Sequence, residues 1–167
     1  SLQGLFDAIS KAIPVGQDMH NAAVTEFDIT GYERLPDKIL DDPMRVVRQM
    51  GTLGGGNHFI EICLDLDENV WIMLHSGSRG IGNKIGNYYI DQAKTIMEAE
   101  EIKLKDPNLA YLVDGSELFD EYWRDLQWAQ QYAMTNREIM MRLVMKAVAK
   151  EVFGDERTVI APDLMVN

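Results

Sequence analysis

The chain has 167 residues, of which 46% are hydrophobic and 26% charged, enough for one globular domain or a large piece of a bigger one. No apolar run approaches the roughly 20 residues of a membrane helix, and no secretory leader is visible, so we expect no membrane association. The net charge of −11 argues against non-specific nucleic-acid binding, which depends on Lys and Arg, but it leaves room for a metal-lined site. The single cysteine excludes an intrachain disulfide and favours a reducing cytoplasm.

The first third of the chain is predicted to contain two short helices on either side of a turn-rich stretch. Residues 1–13 predict an amphipathic helix. Its apolar face consists of Leu5, Phe6, Ile9 and Ile13. Residues 14–38 show no regular pattern and predict a loop. Residues 41–50 predict a second helix, capped by Asp41 or Asp42.

Two strands follow, predicted over residues 57–64 and 69–75 and joined by a turn to form a hairpin. Alternation in the first strand puts one set of side chains on one face, namely His58, Ile60, Ile62 and Leu64. The other face has Phe59, Glu61 and Cys63, and in the second strand Trp71, Met73 and His75 share a face. A hairpin therefore brings the start of one strand and the end of the other, each marked by a histidine, to the same edge.

The rest of the chain is predicted to be mainly helical. Residues 81–101 predict one helix, and residues 115–152 predict a long helix with room for one break, for which Asp114 and Glu117 form a candidate capping box. Its apolar stripe consists of Phe119, Tyr122, Trp123, Leu126, Ala129, Ala133, Met140, Leu143, Val144 and Ala147. We interpret four aromatic residues as core rather than as base-stacking platforms, namely Tyr88, Tyr89, Trp123 and Trp128. With a last strand at 158–162, the pattern predicts a mixed α+β (α/β) fold.

The glycine-rich segment GTLGGGNHFIEI suggests a first ligand-binding turn. Glycines at 54–56 permit positive φ and let backbone amides approach an anion. Asn57 adds a side-chain amide and His58 a metal ligand. The alternative is an ordinary tight turn before a strand, with a half-buried histidine. The segment is not a P-loop, because no Lys-Ser/Thr pair follows the glycines.

The segment HSGSRGIGN suggests a second such turn. His75 ends an apolar strand, and the serines and Arg79 that follow precede a helix, whose N-terminal amides favour phosphate. The guanidinium group matches phosphate oxygens in a bidentate manner. The alternative is a strand-to-helix turn with serine caps. The arrangement GSRGIG is not G-x-G-x-x-G, so a dinucleotide-binding fold is not indicated.

If the hairpin forms, the two histidines and the two turns converge. Imidazoles with further carboxylate or thiolate ligands suit Zn, Mn or Fe, but two ligands do not complete a site. We interpret His20 as an ordinary surface residue and Cys63 as a core thiol.

At GTLGGGNHFIEI and WIMLHSGSRGIGN the sequence resembles the RtcB family of RNA-splicing ligases, and AIPVG and DLQWAQQYAMTNREIM extend the resemblance over nearly the whole chain. The resemblance implies an RtcB-like fold in which a β-hairpin carries two metal-ligand histidines and is packed by long helices. It also implies a cytoplasmic ligase for tRNA splicing or RNA repair that uses GTP and manganese. Such an enzyme joins an RNA 3′-phosphate or 2′,3′-cyclic phosphate to a 5′-hydroxyl through a histidine–guanylate intermediate.

The resemblance also assigns roles to residues of this chain. His58 and His75 would each bind one Mn²⁺ of a pair. The nucleotide site would be lined by Asn57, His58, Phe59, Ile60 and Glu61. RNA phosphate would be contacted by Arg79, Arg45 and Arg48. The implied partners are RNA, GTP and an archease-type activator.

The chain also departs from the family pattern. The family's bridging cysteine lies in an aspartate–cysteine–glycine motif upstream of anything present here, and Cys63 does not match it. A third metal histidine would follow APDLMVN, and the guanylylated histidine lies further on. The resemblance therefore implies that residues 1–167 are a single segment, the central part of the catalytic domain, inactive alone. Two alternatives stay open: a catalytically inactive nucleotide- or RNA-binding module, and a metal-dependent hydrolase, which would need an acidic ligand such as Glu61.

Overall fold

The structure is a computed structural model that describes residues 1–24 and 28–155. Its elements are α1 (Leu2–Ala12), α2 (Pro43–Gln49), β1 (Phe59–Leu64), β2 (Val70–His75), α3 (Ile81–Ala99) and α4 (Glu117–Phe153), with single 3-10 turns at Tyr32–Arg34 and Pro107–Leu109. Four helices and a two-stranded antiparallel sheet confirm the mixed α+β prediction for this part of the chain. The strand predicted at 158–162 lies outside the described residues.

The helices begin and end at residues whose side chains or backbone complete their hydrogen bonding. The carboxylate of Asp42 accepts a hydrogen bond from the Met44 amide at 3.0 Å, which confirms one of the two predicted caps of α2. The predicted capping box of α4 is wrong, because Ser116 caps this helix by accepting from the Phe119 amide at 3.2 Å. This helix runs for 37 residues without a break and ends at Gly154, which has φ +74°.

The two predicted strands pair as an antiparallel hairpin, as the sequence predicts. Phe59 lies opposite His75 at the open end, and Leu64 lies opposite Val70 beside the turn. The inner face of the hairpin packs onto the core through Ile60, Ile72 and Leu74. The outer face exposes apolar side chains, including Phe59, Trp71 and Met73. Each histidine therefore lies at the open end of the hairpin, at the edge nearest the two glycine-rich turns.

Two apolar clusters make up the described core, and α4 contributes to both. The larger cluster contains Tyr32, Leu35, Ile39, Val46, Met50, Ile81, Ile85, Tyr89, Ala129, Tyr132 and Ile139. The smaller cluster lies beneath the hairpin and contains Ile13, Leu53, Met140 and Val144. Because one helix forms a wall of both clusters, its polar positions can reach the loops that lead into and out of the hairpin.

Three residues predicted to be buried are not. Phe6 is 66% exposed and Trp123 is 50% exposed, since each lies on a helix face that no described element covers. The Trp123 ring instead stacks on Phe119, with centroids 6.3 Å apart. Cys63 is only half-buried, on the outer face of the hairpin opposite Trp71. Among residues 1–24 and 28–155, no helix has both the length and the apolar character that a membrane crossing requires.

Candidate functional site

The imidazole rings of His58 and His75 meet at the open end of the hairpin. Their centroids are 5.8 Å apart and their planes are inclined at 68°. The ring of Phe59 stacks on His75 from the other side, with centroids 5.7 Å apart and an angle of 18°. His58 is half-buried and His75 is exposed. The predicted convergence of the two histidines at one sheet edge is therefore confirmed.

One nitrogen of His58 is occupied by the protein. The Nδ1 atom lies 2.8 Å from the carbonyl oxygen of Leu53. A carbonyl only accepts hydrogen bonds, so Nδ1 carries a proton, and in the neutral ring the free lone pair belongs to Nε2. Metal-ligating histidines commonly have this arrangement, in which a backbone carbonyl fixes the tautomer and the orientation of the ring.

The first glycine-rich turn fits tightly against its neighbours. Gly54 has φ +90°, and a Cβ atom there would lie 1.8 Å from Nη1 of Arg79 and 2.8 Å from Nδ1 of His58. Its carbonyl accepts a hydrogen bond from the Gly16 amide at 2.8 Å. Any side chain at this position would displace the guanidinium of Arg79 or the imidazole of His58. Glycine is therefore required for two reasons: the positive φ and the lack of space for a Cβ atom.

Arg79 joins both glycine-rich turns to the N-terminal segment. Its Nε donates to Oγ1 of Thr52 and its Nη2 donates to the carbonyl of Gly16, both at 2.8 Å. Burial lowers the pKa of the guanidinium from its ordinary value. The backbone of Arg79 is left-handed, with φ +59°. Two of its five N–H donors are thus used by protein acceptors, and its contact with RNA phosphate stays a prediction.

The other two predicted phosphate contacts lie on α2 and are half-buried. Arg48 donates through Nε to the carbonyl of His20 at 2.8 Å, and Arg45 lies 4.0 Å from a carboxylate oxygen of Asp41. The interpretation of His20 as an ordinary surface residue is wrong. Its side chain is half-buried, and Nε2 lies 3.0 Å from the carbonyl oxygen of Gly51, at the start of the first turn.

Residues 57–61, predicted to line a nucleotide site, have side chains that point alternately outwards and towards the core. Asn57, Phe59 and Glu61 are exposed, whereas Ile60 packs into the core beneath the hairpin. Glu61 pairs with Met73 and so shares the outer face with His75, although the sequence placed it away from His58. Within the described residues, no group of three His, Cys, Asp or Glu side chains is close enough to hold a metal ion. Two imidazoles alone do not complete a coordination shell, so metal binding by this pair stays a prediction.

A buried asparagine, which no sequence pattern predicted, holds the two turns together. Asn136 on α4 is fully buried and bonds to Gly51, Thr52 and Gly77. The following residue, Arg137, donates to the carbonyl of Ser76 at 3.3 Å. In the sequence, Asn136 is a polar position in a helical pattern, which predicts a solvent-facing side chain. Only the tertiary structure shows that it faces inward.

Two neighbouring imidazoles, one with its tautomer fixed, beside two turns with bent backbone define a candidate metal and phosphate site. The family model for tRNA-splicing ligase RtcB matches residues 36–167, and the chain belongs to this family. It is 54% identical over 101 residues to the RNA-splicing ligase RtcB of Escherichia coli K12, and equally to RtcB1 of another Escherichia coli strain. Each match covers 60% of this chain and 25% of the relative.

A more distant relative gives a match of similar extent. The chain is 32% identical over 121 residues to the tRNA-splicing ligase RtcB of Pyrobaculum aerophilum, covering 64% of this chain and 25% of that protein. The chain thus spans about a quarter of the length of the curated relatives it matches.

Proposed function

We propose that residues 1–167 are the central part of the catalytic domain of a cytoplasmic RNA ligase that uses GTP and Mn²⁺. The ligase joins an RNA 3′-phosphate or 2′,3′-cyclic phosphate end to a 5′-hydroxyl end, in tRNA splicing or RNA repair. The reaction uses GTP to form a histidine–guanylate intermediate. The histidine that attacks GTP is not one of the three in this chain. Membership of the RtcB family and the names of the relatives support this proposal.

The pairing of His58 and His75 is the observation that carries the proposal. The ring separation of 5.8 Å suits either a shared cation or two neighbouring ones. The Nδ1 contact with Leu53 leaves Nε2 of His58 available as a ligand. The donor set fits manganese only in part, since imidazole suits several transition metals and the remaining ligands have to come from outside the described residues. A pair of such cations stabilises the attacking and leaving oxygens in phosphoryl transfer.

The residues around the histidines have separate roles in this proposal. His58 and His75 hold the cations. The exposed side chains of Asn57, Phe59 and Glu61 line the guanylate site, and the Asn57 amide lies near a phosphate. Ile60 contributes from the inner face, where it fixes the position of the segment against the core.

RNA phosphate is bound by arginines, with Arg79 as the central contact. Its Nε and Nη2 hold Thr52 and Gly16, which leaves Nη1, beside Gly54, and the second N–H of Nη2 to bind phosphate in this proposal. Arg45 and Arg48 extend the contact along α2. Bound cations offset part of the net charge of −11, which otherwise repels RNA. An archease-type activator is proposed on the family resemblance alone.

Manganese binding to the histidine pair tests the site in this chain. The fraction of bound Mn²⁺ can be followed by electron paramagnetic resonance, because the six-line signal of the free ion disappears on binding. We expect weak binding that falls by about tenfold or more in His58→Gln and in His75→Gln, since even the partners of metal ligands contribute 10- to 100-fold. The exposed variant Glu138→Gln is the control and should bind like the unchanged chain. Unaltered binding by the His58→Gln/His75→Gln double variant would reject the site.

Ligation by the complete gene product tests the reaction. The substrates are one RNA with a 3′-phosphate or 2′,3′-cyclic phosphate end and one with a 5′-hydroxyl end, supplied with GTP and Mn²⁺. We expect a joined product that His58→Gln and His75→Gln each reduce by at least 100-fold, while the exposed variant Glu138→Gln ligates normally. Binding of GTP and RNA without any joining would instead support a catalytically inactive binding module.

A further inference from the structure

The side chain of Asn136 lies between the two glycine-rich turns, at the middle of α4. Its Oδ1 accepts hydrogen bonds from the amides of Gly51 and Thr52, at 2.8 and 3.2 Å. Its Nδ2 donates to the carbonyls of Thr52 and Gly77, at 3.2 and 3.0 Å. A carboxamide can accept two hydrogen bonds and donate two, so its whole capacity is used.

These four bonds join the backbone beside one histidine to the backbone beside the other. Thr52 precedes Leu53, whose carbonyl orients the ring of His58. Gly77 lies two residues after His75 and directly after Ser76, whose Oγ donates to the same Leu53 carbonyl at 2.7 Å. A shift of either turn therefore changes the position of one imidazole relative to the other.

We propose that Asn136 is a positioning residue that sets the separation of His58 and His75 by clamping both turns. It is fully buried and its four hydrogen bonds all go to backbone groups, so it acts through the backbone and not on a ligand. The importance of this clamp for catalysis rests on the proposed function, whereas its effect on the rings does not.

The chemistry of the amide explains why the position requires asparagine. A leucine would leave two amides and two carbonyls without partners in a buried region, which is costly. A carboxylate, with nearly the same shape, still accepts from the Gly51 and Thr52 amides but donates nothing. Asn136→Asp therefore keeps the two bonds from the first-turn amides, Gly51 and Thr52, and loses the two bonds to the carbonyls of Thr52 and Gly77. Since Gly77 provides the bond to the second turn, this variant releases the second turn while two bonds still hold the first. Asn136→Ala loses all four bonds.

This difference between the two variants allows a sharp experiment on the chain without metal. Long-range ¹H–¹⁵N spectra report which ring nitrogen of each histidine is protonated, and cross-ring nuclear Overhauser effects report the contact of His58 with His75. Asp125→Asn is the matched control. Asp125 is also buried on α4, at 2% exposure, but its carboxylate bonds to Tyr89 and Arg124 rather than to the turns.

We expect a separate signature from each protein. The unchanged chain and Asp125→Asn should show protonated Nδ1 in His58 and a clear cross-ring effect. Asn136→Asp should keep the His58 tautomer but lose at least half of the cross-ring effect, because the second turn is released. Asn136→Ala should lose both signals.

Several results would overturn the proposal. A folded Asn136→Ala that keeps both signals would reject it, and so would an equal loss in Asp125→Asn, which would indicate a general effect of loosening α4. If Asn136→Ala does not fold, Asn136→Asp decides, and an unchanged cross-ring effect there rejects the clamp. The proposed function fails separately, since absence of Mn²⁺ binding in the unchanged chain would leave these metal-free spectra as they are.

Discussion

The Nδ1 atom of His58 and the Oγ atom of Ser76 donate hydrogen bonds to one acceptor, the carbonyl oxygen of Leu53, at 2.8 and 2.7 Å. The carbonyl of Leu53, in the first turn, therefore binds the ring of His58 directly. It also binds Ser76, the residue that follows His75. Because these bonds are made within the protein, the ring of His58 is oriented in the metal-free chain, and the backbone beside His75 is held to the same carbonyl. Preorganised ligands of this kind lower the cost of assembling a site.

Replacing Ser76 with alanine removes one of these two hydrogen bonds. We expect Ser76→Ala to lower the free energy of unfolding by about 1 kcal/mol, the usual net value of one hydrogen bond. It should also weaken the cross-ring contact of His58 with His75, while the His58 tautomer stays, since Leu53 still accepts from Nδ1. Urea denaturation and NMR measure the two effects. Ser78→Ala is the control: Ser78 accepts from the Gly82 amide, so its loss should destabilise the chain without changing the ring contact.

Replacing Gly54 with alanine should disrupt the site more than any single loss of a hydrogen bond. The left-handed backbone alone costs roughly 1–2 kcal/mol with a side chain, and the new Cβ would overlap Nη1 of Arg79. We expect Gly54→Ala to lose more than about 2 kcal/mol of stability in a denaturant titration. Gly55→Ala is the matched control, because the nearest atom to its Cβ is the Gly16 Cα at 3.8 Å. Equal effects of the two substitutions would contradict the close packing inferred at Gly54.

The hairpin turn depends on one aspartate. The carboxylate of Asp65 accepts from the backbone amides of Asp67 and Asn69, from the Asn69 side chain and from the Trp71 indole at 2.8 Å. These donors stabilise the charged form, with the Trp71 indole contributing most, and lower the pKa of Asp65 from 3.8 to about 2. Four donors on one half-buried carboxylate make the turn a local acid-sensitive element.

The sign of the pKa shift determines the pH dependence of the hairpin. Since the folded pKa lies below the unfolded value, the stabilisation by Asp65 is present above about pH 4 and is lost as the pH falls towards 2. The Trp71 indole N–H resonance should move over this range, and in Asp65→Asn the movement should disappear. Asp67→Asn, which keeps the backbone donor, should titrate like the unchanged chain. A Trp71 signal insensitive to Asp65→Asn would contradict this account.

A buried tyrosine–carboxylate pair fastens α3 to α4 away from the site. The hydroxyl of Tyr89 donates to Oδ2 of Asp125 at 2.6 Å, and burial together with this bond raises the tyrosine pKa well above its ordinary value. Tyr89→Phe should cost about 1.5–3 kcal/mol of stability, as for hydrogen bonds to charged groups. Tyr88→Phe, on the half-buried neighbouring ring, should cost much less. Thermal unfolding of both variants measures the difference.

The sequence predicted the parts of this structure that local patterns determine. Alternation and turn residues located both strands and the hairpin that joins them, which brought His58 and His75 to one edge. Helical periodicity located all four helices, with small errors at the ends such as the cap of α4. These features depend on residues within a few positions of each other, so a single sequence contains them.

The remaining parts of the site depend on contacts between distant positions. Asn136 bonds to a residue 85 positions earlier, and Nη2 of Arg79 reaches Gly16 across 63 positions. No local pattern marks a polar residue of a long helix as inward-facing. Similarly, His20 lies in a polar loop, and only the fold shows its bond to Gly51. These side chains form hydrogen bonds with buried backbone groups that would otherwise have no partner. Which backbone groups are buried is known only from the three-dimensional structure.

The chain as it stands should not form a covalent guanylate adduct. In the proposed reaction the nucleophile is a histidine beyond this segment, and the imidazoles of His58 and His75 serve as ligands, with Nδ1 of His58 already bonded to Leu53. Incubation with radiolabelled GTP and Mn²⁺, followed by denaturing electrophoresis, should therefore leave these 167 residues unlabelled. The complete gene product, as the positive control, should acquire the label. Label on the short chain, mapped by mass spectrometry to one of its three histidines, would show that the nucleophile lies within it and would reverse the assignment of ligand and nucleophile.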